Sequence, residues 1–291
     1  MKIVLFSRPK ADIIAADIVE IFAAIDRYGF EFAVNEEFAD SIEPILCRTI
    51  AAENRYGATL CKESANAVMV CYGGDGTLLE GIHRLDGQQI PVIGINSGRL
   101  GFLSLAQRSE IGEVFCQIAN NNLQIEQRKM LEVSCLINGE QQKLYALNEI
   151  AVQRLGATMI SIDTNIDGKS VSKSNGDGVI IATPTGSTAY SMSAGGPIIA
   201  PSCNCTVLTP LSPHNLTLRP VVIAAKSVIS LKIHTRGNKA LISADNRTFE
   251  IEDLSEVTIR SAERTISLAV PHNISFYDTL HNKMMWGVDL R

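Results

Sequence analysis

Short apolar runs alternate with helical stripes through the first part of the chain. Residues 2–6 read as a strand. Residues 12–28 carry Ile14, Ile18, Ile21, Phe22 and Ile25 on one helical stripe, which Gly29 ends. A second strand at 30–34 and a helix at 42–55 follow. Next come a strand at 67–71, a helix from Leu78 to Leu85, a strand at 91–95, and a helix at 109–121 with Ser109 as its cap. Such alternation predicts a Rossmann-like α/β domain over residues 1–122, a parallel sheet with helices on its faces. Ligands of such sheets bind beyond the carboxyl ends of the strands.

The pattern changes near Leu123. Strand-like segments dominate from there, at 131–137, 143–153, 159–163, 179–183, 221–223, 228–234, 240–244, 257–261 and 265–270. Turn pairs such as Asn138-Gly139, Asp167-Gly168, Gly237-Asn238 and Asp245-Asn246 separate many of them. Residues 123–275 are therefore expected to form a mainly antiparallel, β-sandwich-like domain, with 276–291 as a tail.

Composition narrows the function classes. The chain has 291 residues, 46% of them hydrophobic, enough for one large or two smaller cores, and a net charge of −5. That charge, with no basic tract, argues against nucleic-acid binding. No apolar run approaches a membrane span or a signal peptide, so the reading is cytoplasmic with no membrane partner. Seven scattered cysteines, at 47, 61, 71, 116, 135, 203 and 205, fit reduced, mostly core thiols. Cys203-x-Cys205 has no second pair nearby, which argues against zinc.

The candidate chemistry centres on Gly73-Gly74-Asp75-Gly76-Thr77, a strand-to-helix turn. Its glycines let a ligand approach the backbone, and the N–H groups that open the helix favour an anion such as phosphate. Asp75 is the anomaly: beside phosphate it needs a metal ion between them or a proton to handle. The plain alternative is a glycine turn with Asp75 capping the helix. Neither a Rossmann fingerprint nor a Walker A loop is present; Asp167-Gly168-Lys169-Ser170 lacks the earlier glycine, since Asp163 stands there.

Four further features lie in the β-rich half. Asn148-Glu149 interrupts an apolar strand and could read a base edge and a ribose diol, or be an ordinary solvent-facing pair. Asn175-Gly176-Asp177-Gly178 is a turn that would orient Asp177, or a simple hairpin. Residues 182–197 are small, hydroxyl-rich and nearly uncharged, and Tyr190 offers a stacking face. Ile180-Ile181 and Ile198-Ile199 pin both ends of that run, which argues against a flexible linker. Pro213-His214 opens a loop that also carries Arg219, where His214 could equally be structural.

In this order the motifs resemble the NAD kinase family across nearly the whole chain. The resemblance rests on Gly73-Gly74-Asp75-Gly76-Thr77, Asn96-x-Gly98-x-Leu100-Gly101-Phe102, Asn148-Glu149, Gly176-Asp177-Gly178, residues 183–190, Gly195-Gly196-Pro197 and Pro213-His214. It implies an ATP-dependent, Mg²⁺-requiring kinase that phosphorylates the 2′-hydroxyl of the adenosine ribose of NAD. Asp75 would be the catalytic base, with Gly73, Gly74, Gly76 and Thr77 around the phosphates and Asn96 as a further binding residue. Mg²⁺ would ride on the ATP phosphates, with Asp75 as its one candidate protein contact. Phe102 would border the adenine, and Asn148 and Glu149 would hold adenine and ribose. Residues 188–193, Ala189 among them, would line the adenosine pocket with Thr188, Tyr190 and Ser193 as its polar contacts, and Thr185 would be a further binding residue. Asp177 would meet the nicotinamide side of the dinucleotide, its own or that of a neighbouring subunit in a homotetramer or dimer, and Asn175, Asn246 and Arg247 would be further binding residues. The tail would return to the first domain. Two departures stand out: Asn175 where many members have Arg or Lys, and Asp245-Asn246-Arg247 where the family has Asp-Gly-Gln or Asp-Gly-Arg. Donor range and NAD-versus-NADH preference stay open. The competing readings are a diacylglycerol- or sphingosine-type lipid kinase of the same superfamily and a non-catalytic dinucleotide sensor.

Overall fold

The computed structural model describes residues 1–9, 12–60, 66–98, 100–237, 239–272 and 274–287. Cys61, Asn238 of one turn signal and tail residues 288–291 lie outside them. In chain order the elements are β1 Lys2–Phe6, α1 Ala15–Tyr28, β2 Glu31–Asn35, α2 Glu36–Leu46, β3 Arg55–Tyr56, β4 Ala67–Tyr72, α3 Asp75–Arg84, β5 Val92–Asn96, β6 Ala106–Gln107 and α4 Ile111–Ala119. They continue with β7 Gln124–Ile137, β8 Glu140–Ala146, β9 Glu149–Arg154, β10 Ile160–Ile166, β11 Lys169–Gly176, β12 Gly178–Ala182, α5 Tyr190–Ser193, β13 Cys205–Leu211 and β14 Val221–Ala224. The last are β15 Ile229–Thr235, β16 Lys239–Ala244, β17 Arg247–Glu252, β18 Glu256–Val270 and α6 Phe276–Met284. The chain divides into two compact units, Met1–Gln127 with Ile266–Arg291, and Arg128–Thr265.

In the first unit β5, β4, β1, β2 and β3 lie side by side, all parallel. The end of β18 adds to β5 through Leu268 and Val92. Strand order reverses between β1 and β4, so their carboxyl ends open a crevice there. Ile3, Leu5, Val70 and Ile93 from the sheet and Ile18, Ile21 and Phe115 from the helices share one core.

The second unit is antiparallel. β14, β13, β12, β9, β16 and β17 form one sheet. β11, β10, β15 and the first half of β18 pair in another, with β7 and β8 alongside. Val152, Ile181 and Ile242 of the first sheet pack in one cluster with Ile162, Leu231 and Val257 of the second. Ala151, Ile180 and Val207 fill a smaller cluster on the opposite side chains of the first sheet. Burial on both faces is why β9 and β12 read as unbroken apolar runs.

Several element boundaries differ from the periodicity. The helix expected at 42–55 is α2, Glu36–Leu46, because Phe38, Ala39 and Ile42 carry its buried face and Cys47 ends it in a left-handed conformation. α4 starts at Ile111 rather than Ser109; a 3₁₀ turn at Arg108–Glu110 precedes it, and Glu110 accepts the Gln107 N–H. The strand expected at 143–153 is two, β8 and β9, broken at Leu147 and Asn148. β11 was hidden by its polar composition, which suits an edge strand. The segment at 175–178 is not a hairpin: β11 pairs with β10, whereas β12 pairs with β9 and β13. Of the described cysteines, Cys71 and Cys135 are buried, Cys47 and Cys203 are exposed, and all six are free thiols. Among the described residues no helix is long and apolar enough to cross a membrane.

Candidate functional site

In the first unit the glycine turn leaves the end of β4. The Gly73 N–H donates to Ile95 O (2.9 Å), tying the turn to β5. Gly73 has φ +144°, and a Cβ on it would stand 2.6 Å from Thr77 Oγ1. Gly74 has open space where its Cβ would be, so a ligand can reach the backbone at the helix N-terminus.

Asp75 does not cap that helix; Gly74 is the cap residue. The carboxylate turns to the loop after β5. Oδ2 accepts the Phe102 N–H (2.8 Å), and Oδ1 accepts those of Leu103 (3.0 Å) and Ser104 (2.9 Å). Gly101 permits this grip, because a Cβ there would overlap Asp75 Oδ1. Lys283 of α6 brings its ammonium 3.7 Å from Asp75 Oδ2 and 4.7 Å from the centre of the Phe102 ring. On the other side of the turn, a Cβ on Gly76 would lie 3.1 Å from Arg8 Nη1, while Arg8 Nε donates to Glu80 (2.9 Å). Two cations thus border the turn, and sequence reasoning missed both. Arg8 follows the carboxyl end of β1, the strand beside β4, which was an available signal. Lys283 had none, since only folding brings α6 here. Asn96 accepts the Gly98 N–H with Oδ1 (2.8 Å) and leaves its Nδ2 buried and unpartnered. Among the described residues no group of three His, Cys, Asp or Glu is placed to hold a metal.

In the second unit Asn148 lies in the break between β8 and β9, and Glu149 opens β9. Both are buried, and neither faces solvent as an ordinary strand pair would. Asn148 Oδ1 and Glu149 Oε2 have no hydrogen-bond partner. Burial pushes the Glu149 carboxyl up to about 8, the Asp245 charge adds to this, and the Tyr190 N–H works against it. Two buried acceptors without donors are costly unless a ligand supplies the donors.

The hydroxyl-rich run divides. Thr183, Thr185, Ser187 and Ser191 are buried and bonded internally, Thr185 Oγ1 to Arg128 (3.3 Å) and Ser191 to Thr209 (2.8 Å). Thr188 and Ala189 are half-buried, and Tyr190 and Ser193 are exposed. Asp177 pairs with Arg154 Nε (2.6 Å), and its N–H donates to Leu211 O. Asn175 is exposed, with its carbonyl on the His214 N–H (2.8 Å). Asn246 is exposed, while Arg247 turns inward and donates to Tyr145 O (2.9 Å).

The first unit therefore holds an open anion cradle with a fixed carboxylate and two cations beside it. The second holds buried acceptors suited to a polar, hydroxyl-bearing ligand. The cradle of the first unit suits phosphoryl transfer, and the acceptors of the second suit a nucleotide-like ligand. The family model for the ATP-NAD kinase N-terminal domain matches residues 4–123, and that for the ATP-NAD kinase C-terminal domain matches 147–270. NAD kinase of Bacteroides fragilis is 38% identical over 273 residues, 93% of each chain. NAD kinase of Flavobacterium psychrophilum is 36% identical over the full length of both. Yeast NADH kinase complexed with NADH superposes with a TM-score of 0.87 at 25% identity, covering 100% of this chain and 89% of that one. An NAD kinase from Archaeoglobus fulgidus in complex with ATP gives 0.71 at 25% identity, covering 99% and 98%. The chain belongs to the NAD kinase family, which decides against the lipid-kinase and sensor readings.

Proposed function

We propose that this chain moves the γ-phosphoryl group of ATP to the 2′-hydroxyl of the adenosine ribose of NAD, giving NADP. Phosphorylation of NAD follows from family membership. The observation that carries the residue assignment is the Asp75 carboxylate, fixed by three N–H groups beside an open glycine turn. Phosphoryl transfer passes through a loose transition state governed by positioning and charge. Asp75 therefore need only orient the hydroxyl and accept its proton late. Gly73, Gly74, Gly76, Thr77 and Asn96 receive the phosphates, with Arg8 and Lys283 offsetting their charge.

Mg²⁺ fits this donor set as a companion of the nucleotide. Asp75 is the one carboxylate of the turn itself, and backbone donors already engage both its oxygens. Bound Mg²⁺ supplies charge neutralisation at the phosphates. Activity lost on chelation with EDTA and restored by Mg²⁺ is the expected result.

Asn148 and Glu149 accept from the adenine amino group and ribose hydroxyls. Phe102, Thr185, Thr188, Ala189, Tyr190 and Ser193 border the adenosine. Asn246 and Arg247, of the β16–β17 turn at the Glu149 end of β9, are further contacts of the same dinucleotide, whereas Asn175 and Asp177, oriented by Arg154 at the other end of β9, face the nicotinamide side of a dinucleotide held by a neighbouring subunit. A homotetramer or dimer completing this contact is part of the proposal, and sedimentation showing a fully active monomer would exclude it. Free thiols and a soluble substrate support a cytoplasmic place of action. The direct test is NADP formation from purified protein, NAD, ATP and Mg²⁺; no NADP at any protein concentration would overturn the reading.

A further inference from the structure

The break between β8 and β9 is held more firmly than a strand end requires. Every backbone polar group of its two residues, Leu147 and Asn148, and of Glu149, which opens β9, is bonded. The Leu147 N–H donates to Asp245 Oδ2 (2.8 Å), and the N–H groups of Asn148 and Glu149 donate to Asp245 Oδ1 (2.8 and 3.2 Å). On the carbonyl side, Leu147 O accepts the Thr183 hydroxyl (2.6 Å), and Asn148 O accepts the Thr183 N–H (2.9 Å). Glu149 O accepts the N–H of Asp245 itself (3.0 Å). Asp245 reaches this position from the β16–β17 turn with φ +52°, a left-handed conformation that Asp tolerates better than most residues. With the backbone satisfied, the polar atoms left over at the break are Asn148 Oδ1 and Glu149 Oε2, both buried and unpartnered.

We infer that Asp245 is a positioning residue for the dinucleotide. Its carboxylate locks residues 147–149 so that the Asn148 and Glu149 acceptors stand free for the ligand. This rests on the reading of Asn148 and Glu149 as the groups that hold NAD.

The electrostatics follow from the same geometry. The groups that face Glu149 are Asp245, from the β16–β17 turn, and the Tyr190 N–H, from α5. Arg247, two residues further on, feels the Asp245 charge and is not among the groups that act on Glu149. Burial and the Asp245 charge raise the Glu149 carboxyl to about 8. Hydroxyl donors from a ribose prefer the ionised carboxylate, so the ligand binds better as Glu149 loses its proton. NAD binding then strengthens as pH rises through about 8. Removing the Asp245 charge moves that rise to lower pH.

The test is Asp245→Asn and Asp245→Ser, read by NADP formation and by calorimetric titration with NAD between about pH 6 and 9. Misplaced contacts of this kind cost on the order of 10- to 100-fold. A rise of that size in Kd and KM for NAD is expected, with KM for ATP unchanged and the pH rise in NAD affinity displaced to the acid side. A purely structural role would not move the pH profile. If the wild type makes NADP but folded variants keep the NAD Kd and the pH profile, Asp245 does not have this role. If the wild type makes none, the functional reading fails instead. Should neither variant fold, wild type is compared with Glu149→Gln. Wild-type affinity rising with pH against a flat profile for the variant supports the inference, and a flat wild-type profile overturns it.

Discussion

Lys283 Nζ stands 3.7 Å from Asp75 Oδ2, joining the last helix of the chain to the glycine turn. Both side chains keep partial solvent contact, at 35% and 28% exposure, so the pair adds little to stability. A fixed cation beside transferring phosphate is a different matter, because it meets charge that develops in the transition state. Lys283→Met is expected to lower kcat/KM for ATP by about 10- to 100-fold and to leave the melting temperature nearly unchanged. Steady-state kinetics with a thermal melt separate the two effects.

Asp75→Asn retains the side-chain shape but cannot take a proton. It also turns an amide nitrogen toward one of the N–H donors that grip the carboxylate. Loss of a general base costs about 10²- to 10⁴-fold in rate. A fall in kcat of that order is expected, with NAD binding largely retained because Asn148, Glu149 and Tyr190 are untouched. A folded variant that turns over near the wild-type rate removes Asp75 from this role.

Gly101→Ala probes the same carboxylate from behind. The new methyl would occupy the place of Asp75 Oδ1 and force the side chain off its three donors. Overpacking of this kind costs about 1–3 kcal/mol, and displacement of a catalytic group by about 1 Å costs on the order of 10²-fold in rate. Activity should therefore collapse while the variant still unfolds cooperatively. Wild-type kcat in Gly101→Ala would show that the gripped position of Asp75 is not the working one.

Glu149 ties stability to pH. Its carboxyl rises from the ordinary 4.5 to about 8, mainly through burial, so the native state holds the proton more tightly than the unfolded chain does. That contribution to stability is complete below about pH 4.5 and is lost as pH climbs through about 8. Glu149→Gln carries no such proton. The urea midpoint of the wild type should fall more steeply from pH 6 to 9 than that of the variant; parallel profiles would show that Glu149 is not held neutral.

Much of this was legible in the chain because local physics decided it. Alternating apolar runs defined a parallel sheet in one half and antiparallel strands in the other, since burial patterns repeat with each element's own period. The glycines of the turn were readable because few other residues accept their conformation and crowding, and the Asn148-Glu149 pair stood out against apolar neighbours. Contacts that need distant segments to meet were not readable. The plain alternative of Asp75 as a helix cap gave way only when the loop at 102–104 offered the carboxylate three N–H groups. Lys283 has unremarkable local sequence, Arg8 reads only as a cation after a strand end and Asp245 only as a turn residue; all three gain their places when α6, the end of β1 and the β16–β17 turn are brought to their partners. Likewise the β8–β9 break looked like one strand, because what interrupts it is a carboxylate from far along the chain. Sequence determined which segments could form each element and where anion chemistry was possible. Tertiary structure decided which charges stand together, since electrostatic partners are set by distance in space and leave no period along the chain.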